Sequence, residues 1–304
     1  MKRLVVITTI IAALAAPVAA ADAAKLAGTF KVSGEPKYIS QGPDGNMWAT
    51  LGGNKIARIR PSGKVKEFAI SGVLNNPVGI TKGFGSIWLT QPNEVVQVPP
   101  NNPDNADDFA VNDISDPRAI DQGPGETLYT ASGDQLISID ATDPTNSDSD
   151  TITNMGARGL DVAGGFVWIA DFNGQRIIRS KIGGDVKEFD VGGGPQEVAA
   201  GPKGAVAYGN PGTDPQTVGR IPRGGQPKTT NDPMRDPFGV VFAGGSYWFA
   251  EFARDTLGIL STGGNLRHFD LPNNSGPRQI AAGPNRTLWV SLEESKRIAK
   301  IKLG

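Results

Sequence analysis

The alternation of apolar and polar residues is short-ranged throughout this chain. In Lys66-Glu67-Phe68-Ala69-Ile70 the bulky side chains of Phe68 and Ile70 fall on one face, a period of two that predicts a strand. The same arrangement returns over residues 185–191, with Phe189 and Val191, and over 265–271, with Phe269 and Leu271. No comparable stretch carries a sustained helical stripe. Working outward from residues 36–70, the pattern predicts strands over 38–41, 46–50, 56–60 and 65–70. Turns at Pro43-Asp44-Gly45, Asn54-Lys55 and Pro61-Ser62-Gly63 separate them.

This four-strand unit repeats. Large aromatics recur about every 40 residues, at Trp48, Trp88, Tyr129, Trp168, Tyr208, Trp248 and Trp289. Each is preceded by a short lead-in that ends on an aliphatic residue, such as Pro36-Lys37-Tyr38-Ile39, Pro77-Val78-Gly79-Ile80 or Pro277-Arg278-Gln279-Ile280. Two landmarks in step across seven units predict an all-β fold, a seven-bladed β-propeller of four-stranded blades. The last unit runs out at Gly304 after three strands, and residues 28–34 form a spare strand ahead of the first unit. That strand is expected to become the outermost one of the last blade. Closing the ring in this way removes the exposed edges an open array would carry.

The extreme N-terminus reads differently. Met1-Lys2-Arg3 is basic, residues 4–16 are uncharged and largely apolar, and Ala19-Ala20-Ala21 supplies small residues at a cleavage point. The run is shorter than the ~20 residues a bilayer span needs. Residues 1–21 are therefore expected to be a cleaved signal peptide. Residues 22–304 are expected to be a single propeller domain, exported to the periplasm or the medium, with no membrane span after cleavage.

Composition narrows the chemistry. There is no cysteine and one histidine, which removes disulfides, thiolate chemistry and any multi-histidine metal site. The net charge of −1 carries no basic footprint for nucleic acid. The sole histidine, His268, lies in an outer strand and is expected on the exposed rim, away from any functional face. The acidic stretch 140–150 lacks the spaced ligands, mid-loop glycine and terminal glutamate of an EF-hand, so a solvated hairpin loop is expected there.

The repeat resembles that of the streptogramin B lyase (virginiamycin B lyase) family. The resemblance rests on Trp48-Ala49-Thr50 with Asn54-Lys55-Ile56-Ala57-Arg58-Ile59, and on Trp248-Phe249-Ala250-Glu251 with Leu257-Gly258-Ile259. Trp168-Ile169-Ala170-Asp171 with Arg176-Ile177-Ile178-Arg179 adds to it. It implies the propeller fold and, in the family, a metal-assisted elimination that opens the ester link of a cyclic peptide antibiotic. The family's two histidine positions, after the lead-in prolines of the sixth and seventh units, correspond here to Phe238 and Arg278. Its metal-associated glutamate corresponds to Glu293. A permanently protonated guanidinium is no ordinary proton acceptor, so the lyase reaction is not expected.

Propeller geometry gathers the lead-ins and the turns after each second strand on one central face. The second position of each lead-in places Lys37, Val78, Arg118, Arg158, Gln196, Phe238 and Arg278 there, and the turns add Gln91, Asp171, Glu251 and Glu293. Three readings stand side by side. The face is a salt-bridged solubilising surface; or it recognises a small polar or anionic ligand through arginine forks; or Glu251 and Glu293 hold a magnesium or calcium ion. The expected function is a ligand-binding or protein-interaction module, expected to be monomeric. A metal-assisted lyase or hydrolase that uses the central carboxylates is the alternative.

Overall fold

The computed structural model describes residues 24–230 and 232–304. The signal-peptide reading of residues 1–21 lies outside the described residues. Seven antiparallel four-stranded sheets form the ring. Among the described residues, the helical pieces are three-residue turns such as Pro103–Asn105 and Pro202–Gly204. No described helix is long and apolar enough to cross a membrane.

Blade 1 has strands Pro36–Gln41, Met47–Leu51, Lys55–Ile59 and Val65–Phe68, within two residues of the sequence expectation. Its neighbours repeat the order from innermost to outermost strand. Lys25–Lys31 supplies the outermost strand of blade 7, antiparallel to Arg297–Lys302. This closing strand starts three residues before the expected 28–34, and its register steps at Leu26/Gly28, where a bulge interrupts the ladder. Phe30 then stacks near Trp289, 5.7 Å between centroids, and anchors the closure. Ser291 Oγ donates to the Lys37 carbonyl and adds a bond from blade 7 to blade 1.

The core lies between blades. Each hydrophobic cluster joins one blade to the next: Trp48 packs with Ile80 and Leu89 of blade 2, and Trp248 with Ile280 and Val290 of blade 7. Such radial burial is why no blade can bury its apolar faces alone.

One landmark departs from the repeat. In blade 1, Trp48 lies opposite Ser40 and Arg58. In blade 5 the residue opposite the corresponding Arg220 is Ala207, while Tyr208 lies opposite Val198 and Gly219. A one-residue offset in a strand turns the side chain to the other face. Tyr208 therefore packs backward against Trp168 and Ile177 of blade 4. The room for its ring comes from Gly219, where a Cβ would collide with it. On the vacated side Tyr247 of blade 6 packs against Ala207. Seven aromatics are present, but six share one role.

Candidate functional site

Five of the seven residues at the second lead-in position, Arg118, Arg158, Gln196, Phe238 and Arg278, line one central cavity of about 80 Å³. Lys37 and Val78 are not among its lining residues. The floor is Tyr38, Glu197 and Gln279. These three also line a larger channel of about 380 Å³ between the innermost strands, so they form the partition between the two spaces.

The partition follows from the residue just before each aliphatic of the lead-in. That position is glycine at 79, 159 and 239, alanine at 119, and a large side chain at Tyr38, Glu197 and Gln279. A Cβ at Gly159 would fall on the Glu197 carboxylate, and one at Gly239 on the Gln279 amide. Small neighbours thus let the large side chains cross the neck. Gln279 Nε2 donates to Glu197 Oε2 at 2.9 Å. Burial pushes the Glu197 carboxyl up to about 8, against the smaller lowering from that hydrogen bond. Burial, and then the proximity of Glu197, push the Tyr38 phenol up as well. At neutral pH the floor is therefore largely uncharged.

The walls carry cations on aromatic supports. Arg278 lies 4.8 Å from the Phe238 ring centroid, and Phe238 meets Phe252 edge-on at 5.7 Å. Arg158 lies 5.1 Å from the Phe172 ring, and Gly194 leaves that ring its space. Cation–π contact fixes a guanidinium without neutralising it. Arg278 also pairs with Glu293 at 3.0 Å, and Arg118 with the exposed Asp116 at 3.1 Å. Arg158 meets no carboxylate among the described residues.

The residues expected in the turns have other partners. Gln91 is fully buried and braces its own blade, accepting from the Asn75 amide at 2.8 Å and donating to the Val73 carbonyl and to Glu94. Asp171 is equally buried; it accepts from the Gly156 and Gly174 amides and pairs with Arg176 Nε at 2.7 Å. Neither is among the residues lining the central cavity.

Glu251 accepts from Thr256 Oγ1 at 3.0 Å, and its Oε1 lies 2.6 Å from His268 Nδ1. His268 is thus not an isolated rim residue. Gly258 pairs with it across the ladder, and a Cβ there would collide with Met234. Glu251 and Glu293 do not share a site, since one serves His268 and the other Arg278. No group of three or more metal-capable carboxylate or imidazole side chains occurs among the described residues. A guanidinium at 3.0 Å already holds the carboxylate that the family resemblance assigns to a metal, so the residues present do not fit a divalent ion.

Three carboxyl groups at the channel escaped the sequence reading, the buried Glu197 and the half-buried Asp121 and Asp161. Besides Glu197, Asp121 and Asp161 face the channel from adjacent blades. Asp121 also accepts from Thr81 Oγ1 and the Val162 amide, and Asp161 from the Ala200 amide, so the pair ties blades 2 to 5 together. Burial first, and then the charge of Asp161, push Asp121 up. The signal for Glu197 in the sequence was a carboxylate at a lead-in position that four other blades fill with glycine or alanine.

Comparison with known proteins agrees with this architecture. A streptogramin B lyase structure superposes with a TM-score of 0.79 at 19% identity, covering 92% of this chain and 98% of that one. Virginiamycin B lyase from Staphylococcus aureus superposes at 0.78, also 19% identical, covering 92% of this chain and 100% of that one. Hydrazine synthase from Kuenenia stuttgartiensis reaches 0.71 at 14% identity over 90% of this chain and 97% of that one. At such identities the likeness concerns the fold, which hosts unrelated chemistries. No curated protein sequence matches the chain. The sequence profile described as the virginiamycin B lyase family matches residues 151–304, half of the chain, and the protein belongs to that family.

Proposed function

We propose that this protein is an exported ligand-binding propeller whose central cavity recognises the carboxylate of a small polar ligand. The observation that carries this reading is Arg158, a guanidinium at the cavity wall with an aromatic support and no acid partner. Arg118 and Arg278 flank it, and the floor below is uncharged at neutral pH because Glu197 holds its proton. An entering carboxylate meets bidentate donors and no opposing charge from beneath. A cavity of about 80 Å³ admits a head group and leaves the rest of a ligand in the funnel mouth. Export rests on the basic, apolar and small-residue order of residues 1–21.

Calorimetric titration with succinate and with its neutral diamide tests this directly. Succinate is expected to bind, the diamide to bind at least tenfold more weakly, and Arg158→Met to lose most of the difference, since a hydrogen bond to a charged group is worth about 1.5–3 kcal/mol. Equal binding of acid and diamide would overturn the reading.

The alternative, a metal-assisted lyase or hydrolase, would require Glu293, at the family's metal-associated position, to exchange Arg278 for a divalent ion. The places of both histidines are taken by Phe238 and Arg278, and a positioned general base contributes roughly 10²- to 10⁴-fold. Incubation with magnesium and a streptogramin B antibiotic, followed by mass spectrometry, separates the two readings. Ring opening that disappears in Glu293→Gln would establish the second.

A further inference from the structure

Four blades place a cation on the third strand, beside the position of the repeat's large aromatic: Arg58, Arg179, Arg220 and Lys300. Three of them perform the same task. Arg58 lies over Trp48 and donates to the Pro100 carbonyl of blade 2 at 2.9 Å. Lys300 lies over Trp289 and donates to the Pro61 carbonyl of blade 1 at 2.7 Å. Arg220 donates to the Thr262 and Gly263 carbonyls of blade 6. In each case the cation crosses to the next blade and ends on the turn between its third and fourth strands.

Arg179 of blade 4 breaks the series. It lies 4.4 Å from the Phe166 ring and 5.7 Å from Trp168, as Arg58 and Lys300 lie on their aromatics. Yet it makes no hydrogen bond or ion pair among the described residues, and its Nε is buried without a partner. The blade 5 turn it should reach carries Arg223 at the place of Pro61 and Thr262. Instead of a bond there is a crevice of about 390 Å³. Phe166, Trp168 and Phe189 form an aromatic side, and Arg179, Lys203 and Arg223 supply the charge. No carboxylate lines the crevice, and neither Lys203 nor Arg223 has a polar partner among the described residues.

We propose that this crevice between blades 4 and 5 is a second binding site, for a small amphipathic carboxylate. The carboxylate oxygens take on Arg179 the place that a backbone carbonyl takes on Arg58, Arg220 and Lys300. A buried guanidinium donor without an acceptor is costly, and three cations with no acid favour an anion over a neutral amide. The aromatic side asks for an apolar body, and the volume falls within the ordinary range for small-molecule sites. The site is separate from the central cavity, with which it shares no lining residue.

The test is calorimetric titration of the mature protein with 4-phenylbutyrate and with 4-phenylbutyramide, using Arg179→Met, Lys203→Met/Arg223→Met and Arg158→Met. The acid is expected to bind at least tenfold more tightly than the amide. Arg179→Met should weaken it roughly tenfold or more and the double variant severalfold, both read in an Arg158→Met background, which removes the central cavity's own carboxylate contact. If Arg179→Met melts well below wild type, the double variant decides, because it alters only exposed turns. Acid and amide binding within twofold of each other would overturn the proposal. So would loss of binding in Arg158→Met with retention in Arg179→Met, or no heat up to about 10 mM acid.

Discussion

Replacing Glu197 by glutamine should make the protein more stable at alkaline pH. The carboxyl is buried at the neck and raised from 4.5 to about 8. A raised carboxyl pKa means that the folded protein binds more protons than the unfolded chain between those two values. Stability is therefore greatest below about pH 4.5, falls as pH rises toward 8, and is flat above. At ~1.36 kcal/mol per unit, ionising Glu197 in place costs about 5 kcal/mol, and water admitted through the cavity lowers this to about 2–5 kcal/mol. Glutamine keeps an oxygen that accepts from Gln279 and removes the titration. For a chain of this size, each kcal/mol shifts the melting temperature by ~2–4 °C. Scanning calorimetry at pH 4.5 and 8.5 should find Glu197→Gln within about 2 °C of wild type at the lower pH, and roughly 5–15 °C above it at the higher. Asp121 and Asp161 titrate in both proteins, so the difference isolates Glu197. A gap that does not change with pH would refute the reasoning.

Other outcomes follow from packing. Deleting residues 22–35 removes the strand that pairs with Arg297–Lys302, and thermal unfolding should stay a single transition at a clearly lower temperature. Melting equal to that of the chain starting at residue 22 would contradict closure by that strand. Tyr208→Ala should cost about 3–5 kcal/mol by emptying the space between blades 4 and 5. Tyr208→Phe should match or exceed wild type, since the buried hydroxyl has no partner. Gly159→Ala should cost about 1–3 kcal/mol by overpacking, and denaturant unfolding should show a smaller cost in a Glu197→Ala background, because the new Cβ falls on that carboxylate.

The ring was legible because its determinants are local and repeated. A lead-in, a turn and an aromatic recur in step, and the missing strand of the last blade had one place to come from. Blade 5 was misread for the same reason. Aromatic spacing of about 40 residues absorbs a one-residue offset, while face selection in a strand turns on that single residue. Only the register of Ala207 against Arg220 reveals it.

The site was half legible. Second lead-in positions point inward by the symmetry of the fold, so Arg118, Arg158, Phe238 and Arg278 were found. Turn positions carry no such guarantee, and Gln91 and Asp171 spend their polar atoms on backbone amides and carbonyls of their own blades. His268 reaches Glu251 from the outermost strand of blade 6, across the strand whose Gly258 pairs with it. That contact depends on cross-strand pairing and has no signature in the sequence around either residue.

The account turns on one exchange at the central cavity. An arginine pairs with Glu293 where the family resemblance implies an imidazole, and a free guanidinium stands nearby at Arg158. A crystal structure grown with both succinate and magnesium in the drop puts the two outcomes in competition. The account predicts a carboxylate within hydrogen-bond distance of Arg158, roughly 3 Å, with the Arg278–Glu293 pair intact. A magnesium ion on Glu293, with Arg278 swung away from it, would contradict the account.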